Sequence, residues 1–309
     1  MLGQIFRPAV VACAVSLLCA TRAAAWGSLG HSISAAIAYG RLTPTAKARV
    51  DRLLSQEKDE IAGPSFVTSS IWADRFRFES EFETSQWHVA SYPLSWQGDF
   101  SSCPPFTGPG YVLSGCVVSK VFEFHRQLSP PPKDPRLIVS TGFSDPATLK
   151  FLVHFIQDIH QPLHVSDNND FNGNCVQIKS PRDLPDTNLH AYWDVSVVRS
   201  LGSDPTEIAA RLSANIGAAE ADAWTTEART SADAKSWISA WTRESHGLAV
   251  QVYGRMSNKP GCQPSGELSA DYASAAQRLT ELQLQKSGVR VAFVLNRLFD
   301  PPRRIRAAQ

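Results

Sequence analysis

Apolar residues recur at roughly helical intervals through most of the chain. Ile33, Ile37 and Leu42, followed by Val50, Leu53 and Leu54, predict two helices near the start. Between them Thr43-Pro44 offers a side-chain cap and a proline at the first helical position. A further helix is expected over 151–160. The last third predicts three more: 204 to about 223, opened by Asp-Pro, 233 to about 253, and 269 to about 298. Trp237, Trp241, Val250, Leu279, Leu282, Val291, Val294 and Leu295 make up the core-facing positions of these helices. Only residues 175–179 read as a strand, of a minor hairpin at most. The fold class expected is all-α: one mainly helical domain over 26–309, with no linker, repeat or low-complexity tract to divide it. Two long loops, 92–115 and 167–187, are rich in proline, glycine and asparagine, and both carry cysteines.

Residues 1–25 break the helical pattern in a different way. Arg7 precedes an apolar run from Ala9 to Ala20, and Ala23-Ala24-Ala25 places small residues where a signal peptidase inspects them. This is a signal peptide cleaved after Ala25. The run falls short of the roughly 20 residues that span a bilayer, so no membrane anchor is expected after cleavage and the protein is read as secreted or periplasmic. Export fits the cysteines too. Of six, Cys13 and Cys19 leave with the leader, and Cys103, Cys116, Cys175 and Cys262 remain, an even number that reads as two disulfides with three possible pairings.

Charge excludes one class of partner. The formal net charge is +1, and loss of Arg7 and Arg22 takes the mature chain to about −1, with no basic stripe of the kind that releases counterions from duplex DNA. An anionic substrate must be attracted by something other than lysine and arginine.

Metal chemistry supplies that something. Five of the eight histidines stand in metal-site contexts. His154-Phe-Ile-Gln-Asp158 puts two ligand types one turn apart on one helix face, and His190-Ala-Tyr-Trp-Asp194 repeats the spacing. Pro162 should kink or end the first helix and turn His164 in a new direction, opening a second site beside the first. His160, between two ligand positions, reads as a hydrogen-bonding anchor. Asp74 lies among aromatics in Ser70-Ile-Trp-Ala-Asp-Arg-Phe-Arg77, where either a cation or an ion pair with Arg77 must compensate its charge. His88 alone reads as an ordinary half-buried histidine. Cleavage after Ala25 would free the α-amine of Trp26, a competent ligand when deprotonated, five residues before His31.

Taken in order, Trp26-Gly-x-x-Gly-His31, Trp72-Ala-Asp-x-x-Arg77, Trp87-His88, His154-x-x-x-Asp-x-His-Gln-Pro-Leu-His164 and Asn188-Leu-His-x-x-Trp-Asp194 resemble the three-zinc single-strand-specific nucleases. These are the type I nucleases and 3′-nucleotidases, related to the zinc phospholipases C. The chain is similar to them near its end as well, at Trp241-x-x-Glu244-Ser245 and at Ser287-Gly-Val-Arg-Val-Ala-Phe-Val-Leu-Asn296. The resemblance implies three Zn²⁺. Asp74, His88, His154 and Asp158 would hold the first; the amine and carbonyl of Trp26, His31 and a bridging Asp158 the second; His164, His190 and Asp194 an outer third. Three Zn²⁺ against three carboxylates leave a local excess of about +3 for phosphate.

The implied partners are single-stranded DNA and RNA and 3′-nucleotides, with no stable protein partner and a monomeric chain. Asp74 would orient the attacking water and Arg77 neutralise charge on the phosphoryl oxygens. Disulfides Cys103–Cys262 and Cys116–Cys175 are the pairing that the resemblance favours. Val89 and Ser91 depart from the family, which places an aromatic and an acidic residue there to clamp a base. A zinc phospholipase C and a non-catalytic periplasmic zinc-binding protein are the competing readings; Asp194, where the lipases carry glutamate, and the cysteines speak for the nuclease.

Overall fold

The computed structural model describes residues 26–57, 61–80, 83–105, 115–179, 186–256, 260–263 and 266–301. Residues 1–25, read above as a leader, and residues 106–114 and 180–185 of the two long loops lie outside the described residues. Helix α1 (Gly27–Gly40) leads into α2 (Pro44–Leu54), where the Thr43 side chain accepts from Ala46 N as the sequence predicts. A single turn, α3 (Phe66–Ser69), precedes α4 (Trp72–Glu79). Helix α5 (Val117–Leu128) was not expected. Its buried residues Val117, Val118, Val121 and Phe124 have helical spacing, but its N-cap is Cys116, whose own side chain makes no cap bond, and the Cys116 N–H is taken instead by Ser119 Oγ at 3.1 Å.

Helix α6 (Asp145–Asp158) starts six residues earlier than its apolar pattern suggests, because Ser144 caps it through Ala147 N. Every residue from Pro146 to Asp158 is buried. A helix buried all round has no solvent face for polar groups, so His154, Gln157 and Asp158 must find partners inside the protein. Short turns α7 (Leu189–Ala191) and α8 (Val197–Arg199) flank a π turn at Tyr192–Ser196. The helix expected over 204–223 is two, α9 (Pro205–Ala214) and α10 (Ala218–Trp224), divided where Gly217 turns extended. The one-turn α11 (Thr226–Thr230) is followed by α12 (Ala234–Gly254) and α13 (Ala270–Phe299), capped at Asp233 and Ser269 close to the predicted starts.

Helix α1 packs on α13, α9 and α6, and α6 packs on α5, α4 and α13, which sets α1 and α6 side by side at the centre. Close approach of α1 to α13 requires Gly288: a Cβ there would meet Ile37 Cγ2 at 2.6 Å. Of the predicted core positions Trp237, Trp241, Val291, Val294 and Leu295 are buried, whereas Val250 is 48% exposed. Residues 177–179 do form a strand, β1 (Gln177–Lys179), antiparallel to β2 (Thr187–Asn188) and, beyond a hairpin, parallel to β3 (Gly266–Glu267).

The disulfide pairing corrects the expectation. Cys103 joins Cys116, and Cys175 joins Cys262, not Cys103–Cys262 and Cys116–Cys175. Packing explains the difference. Val117 N donates to Val89 O, which fixes Cys116 beside the 92–105 loop, while Gly261 N donates to Asn168 O and brings Cys262 onto the loop that carries Cys175. The first bridge closes its own loop; the second pins the loop that follows α6.

Candidate metal centre

Each candidate side chain comes from a different local device. Helix α6 presents His154 and Asp158 one turn apart. Pro162 opens a 3₁₀ turn over Pro162–Val165 that redirects His164, with Gln161 capping it through Leu163 N. Helix α1 carries His31, α4 carries Asp74 and Arg77, and a 3₁₀ turn over Ser85–His88 ends on His88. His190 sits in α7 and Asp194 in the π turn, where an extra residue per turn re-aims the side chain.

All of these side chains are buried, none more than 7% exposed. They form three groups with ligand atoms within 4.8 Å of one another: His88, His154 and Asp158; His31, Asp74 and His154; and His164, His190 and Asp194. In the first, His154 Nε2 lies 3.1 Å from His88 Nδ1, 3.4 Å from Asp158 Oδ2 and 3.7 Å from Asp74 Oδ1. His88 Nδ1 lies 3.1 Å from Asp158 Oδ2 and 3.7 Å from Asp74 Oδ1. Zinc bonds of about 2.0–2.2 Å set tetrahedral ligands roughly 3.3–3.6 Å apart, so these four atoms have the spacing of a zinc tetrahedron.

The second oxygens of both aspartates turn elsewhere. Asp158 Oδ1 is 3.4 Å and Asp74 Oδ2 3.9 Å from His31 Nε2. Trp26, wholly buried at the head of α1, sends its indole N–H to Gln157 O at 3.0 Å. In the third group Asp194 Oδ1 is 3.5 Å from His164 Nε2 and Oδ2 is 3.2 Å from His190 Nε2. Both Asp74 oxygens, Asp158 Oδ1 and His164 Nε2 are buried without a hydrogen bond. Such orphaned acceptors, distributed over the three groups, fit cations better than any protein partner.

The family model of the S1/P1 nucleases matches residues 26–300. The chain belongs to the S1/P1 nuclease family. It is 27% identical to Endonuclease 4 of Arabidopsis thaliana over 292 residues, covering 89% of each chain. Identity is 24% to Nuclease S1 of Aspergillus oryzae, covering 90% of this chain and 93% of that one, and 25% to Nuclease P1 of Penicillium citrinum, covering 88% and 97%. Membership makes this protein a hydrolase of phosphodiester bonds in nucleic acid.

In this family member the outer nitrogens of His31, His154, His164 and His190 are anchored by hydrogen bonds that the sequence did not reveal. His154 Nδ1 donates to Ser70 O at 2.6 Å, His164 Nδ1 to His88 O at 3.0 Å and His190 Nδ1 to Asn172 O at 2.7 Å, while His31 Nδ1 donates to Gln157 Oε1. Each bond fixes the tautomer that leaves Nε2 with its lone pair toward the centre. Gln161 Nε2 donates to Asp194 Oδ1 at 2.6 Å. Gln157 and Gln161 flank Asp158 in the motif itself, and a polar residue beside ligands in a buried helix was the available signal. His160 has the anchoring role expected of it, donating to Ile156 O and accepting from Arg290 Nη1 at 2.9 Å.

Burial raises Asp158 well above the usual carboxylate range, and Asp74 and Asp194 push the same way. Burial also lifts Asp74 to about 7, against the lowering effect of Arg77. For His88 and His154 burial favours the neutral, ligand form, assisted by the Arg77 guanidinium and by His31 respectively. The outer group differs. Burial opposes charge on both His190 and Asp194, yet their mutual attraction outweighs it, raising the imidazole and lowering the carboxyl. Three carboxylates thus converge without enough side-chain positive charge to balance them. A cavity of about 470 Å³ lined by Thr45, Arg49, Arg52, Leu128 and Phe299 shares no residue with these groups, so chemistry rather than cavity size locates the site.

Proposed function

We propose that the chain hydrolyses single-stranded DNA and RNA to products with 5′-phosphates, and removes phosphate from 3′-nucleotides, using three zinc ions. The carrying observation is the set of four donor atoms of Asp74, His88, His154 and Asp158 at zinc spacing. Beside them Asp158 Oδ1, His31 and the main-chain amine and carbonyl of Trp26 would hold a second ion, and His164, His190 and Asp194 a third. Bound zinc supplies Lewis acidity, polarising phosphoryl oxygens and bringing water to a pKa near 7.

The protein's own groups do the rest. Asp74 Oδ2, which makes no hydrogen bond and lies outside the four zinc-spaced donors, would accept one from the attacking water and aim it in line with phosphorus. Arg77, one turn along the same helix and 7% exposed, neutralises charge gathering on the phosphoryl oxygens. His164, His190 and Asp194 would hold an ion able to stabilise a departing 3′-oxygen, which would leave the phosphate on the 5′ end. The depth of these groups favours single strands, whose phosphates can be drawn in where a stiff duplex cannot follow. With a mature net charge of about −1, attraction for the strand is local to the centre. The mature protein is read as a single exported domain beginning at Trp26, acting as a monomer; its two disulfides suit an oxidising compartment.

The test presents purified mature protein with single-stranded DNA, RNA, duplex DNA and phosphatidylcholine side by side, with end-group analysis. Cleavage of both single strands to 5′-phosphate ends, and slow cleavage of duplex, is expected. Products with 3′-phosphates, or hydrolysis of the lipid alone, would overturn the proposal.

A further inference from the structure

The cavity of about 470 Å³ away from the metal groups lies between α2, the end of α5 and the last turn of α13. Leu128, Pro130, Leu298 and Phe299 give it apolar walls, and α2 contributes Arg49 and Arg52. Ser129, Pro130 and Leu298 also line a second cavity of about 190 Å³, so the two are adjoining parts of one groove. His125, Trp237 and Arg297 line the second part. Helix α1 sets the groove apart from the metal centre. His31 lies near its start, and Asn296 holds Arg41 O and Thr43 N beyond its end, ten residues or about 15 Å further along.

The polar groups of the groove lack partners. Among the described residues the Arg49 and Arg52 side chains make no hydrogen bond or ion pair, and at positions i and i+3 they rise from one face of α2. Asp51, between them in sequence, is engaged elsewhere: its carboxylate accepts from the Tyr39 hydroxyl at 2.9 and 3.0 Å. No carboxylate is among the described residues that line either part. In the second part His125 Nδ1 is buried without a hydrogen bond. Burial, with Arg126 and Arg297 adding to it, holds this imidazole down at about 4, so at neutral pH it is an uncharged ring with one nitrogen unanswered. A buried polar atom of that kind costs stability unless something from outside the protein bonds it.

We propose that this groove is a second ligand site, for a small phosphate monoester with an apolar body. The phosphate lies on Arg49 and Arg52, the body against Leu128, Pro130, Leu298 and Phe299, and a polar atom of the body on His125 Nδ1. A phosphate monoester carries nearly two negative charges at neutral pH and three acceptor oxygens, which two guanidiniums match; a carboxylate would answer only one of them. The volume suits a small molecule, whose sites span about 300–1,000 Å³ with mostly apolar walls and a few placed polar groups. A nucleic-acid strand is less suited. An extended polyanion needs a row of available cations, and the third guanidinium, Arg297, is already engaged by Ala228 O and Ser231 O. Mononucleotides and short-chain phosphatidic acids share the required chemistry. The site is independent of the nuclease reading, since it uses none of the residues assigned to the metals.

Calorimetric titration of the zinc-loaded protein with 5′-AMP, dihexanoyl phosphatidic acid and inorganic phosphate tests this in wild type, Arg49→Gln/Arg52→Gln and His125→Phe. At least one of the two organic phosphates should bind wild type at a site beyond any at the metals, and which of them does so identifies the source of the ligand. At that site the arginine variant should raise Kd about 10- to 100-fold and His125→Phe about 2- to 10-fold. Zinc content, melting temperature and the rate on a dinucleotide should stay at wild-type values in the arginine variant, because both side chains are exposed and unpaired. Equal Kd in wild type and the arginine variant, or no site beyond the metals for either organic phosphate, overturns the proposal. Inorganic phosphate binding there as tightly as the organic phosphates overturns the role of the apolar walls. Weakened binding of a long single strand in the arginine variant, with the small phosphates unaffected, would assign the arginines to nucleic acid and overturn the proposal.

Discussion

Replacing Asp158 by asparagine removes one of three negative charges from the centre while keeping the side-chain shape. The group is fully buried, with Oδ2 3.1 Å from His88 and 3.4 Å from His154, and Oδ1 3.4 Å from His31. Without metal, ionisation of that group works against its own desolvation and the repulsion of Asp74 and Asp194, so folding must either bury the charge or drive a proton onto it, at a cost of several kcal/mol. Asp158→Asn should therefore stabilise the metal-free protein, by about 2–4 kcal/mol or roughly 4–8 °C in Tm. With zinc the order reverses, because a neutral amide cannot serve two cations at once. Bound metal should fall and kcat/KM on single-stranded DNA should drop on the order of 10³-fold or more. The assay is thermal melting of both proteins in chelator and in excess zinc, with metal analysis and hydrolysis rates on the same preparations. A variant that keeps its metal and its rate within about tenfold would refute the bridging role. One that melts below wild type in chelator would refute the charge argument.

A methionine added before Trp26 turns the α-amine, with a pKa near 8, into an amide without an available lone pair; the protein should fold but hold about one zinc fewer and hydrolyse slowly. Equal zinc and rate with either start would leave Trp26 as a packing residue only. Burial alone would raise Glu244, but Arg290 and Lys286 outweigh it and bring the folded pKa to about 2. Its stabilisation is thus complete above the unfolded value near 4.5 and lost as pH falls from there through about 2; urea melts should show wild type exceeding Glu244→Gln by about 2 kcal/mol at pH 7 and converging toward pH 2. A gap independent of pH would show that Glu244 acts by packing.

The sequence made visible whatever is set by neighbours along the chain. Caps at Thr43, Asp233 and Ser269 mark helix starts because each bond spans two or three residues. His154 with Asp158, and His190 with Asp194, declare themselves by one-turn spacing. His88 does not, since it stands on a lone 3₁₀ turn and reaches His154 only through the fold. Disulfide partners are equally non-local: Cys175 meets Cys262 because Gly261 reaches Asn168.

The similarity at the far end of the chain, remote from any proposed ligand, has a mechanical reason in this arrangement. Arg290 on α13 donates to His160 at 2.9 Å and is itself held by Glu244 on α12 at 2.7 Å. Gln283 Nε2 donates to His160 O at 2.8 Å and to Ser245 Oγ at 3.2 Å. The end of α6, where Asp158 sits, is thereby clamped from behind by both long helices. Ser287 Oγ bonds Ser34 Oγ at 2.7 Å, three residues from His31, and Asn296 bridges Thr43 N and Arg41 O at the end of α1. Glu244, Ser245, Ser287, Arg290 and Asn296 therefore bear on the donor atoms through α1 and α6. A donor spacing matched to zinc within a few tenths of an ångström needs both helices fixed, and these contacts are what fix them.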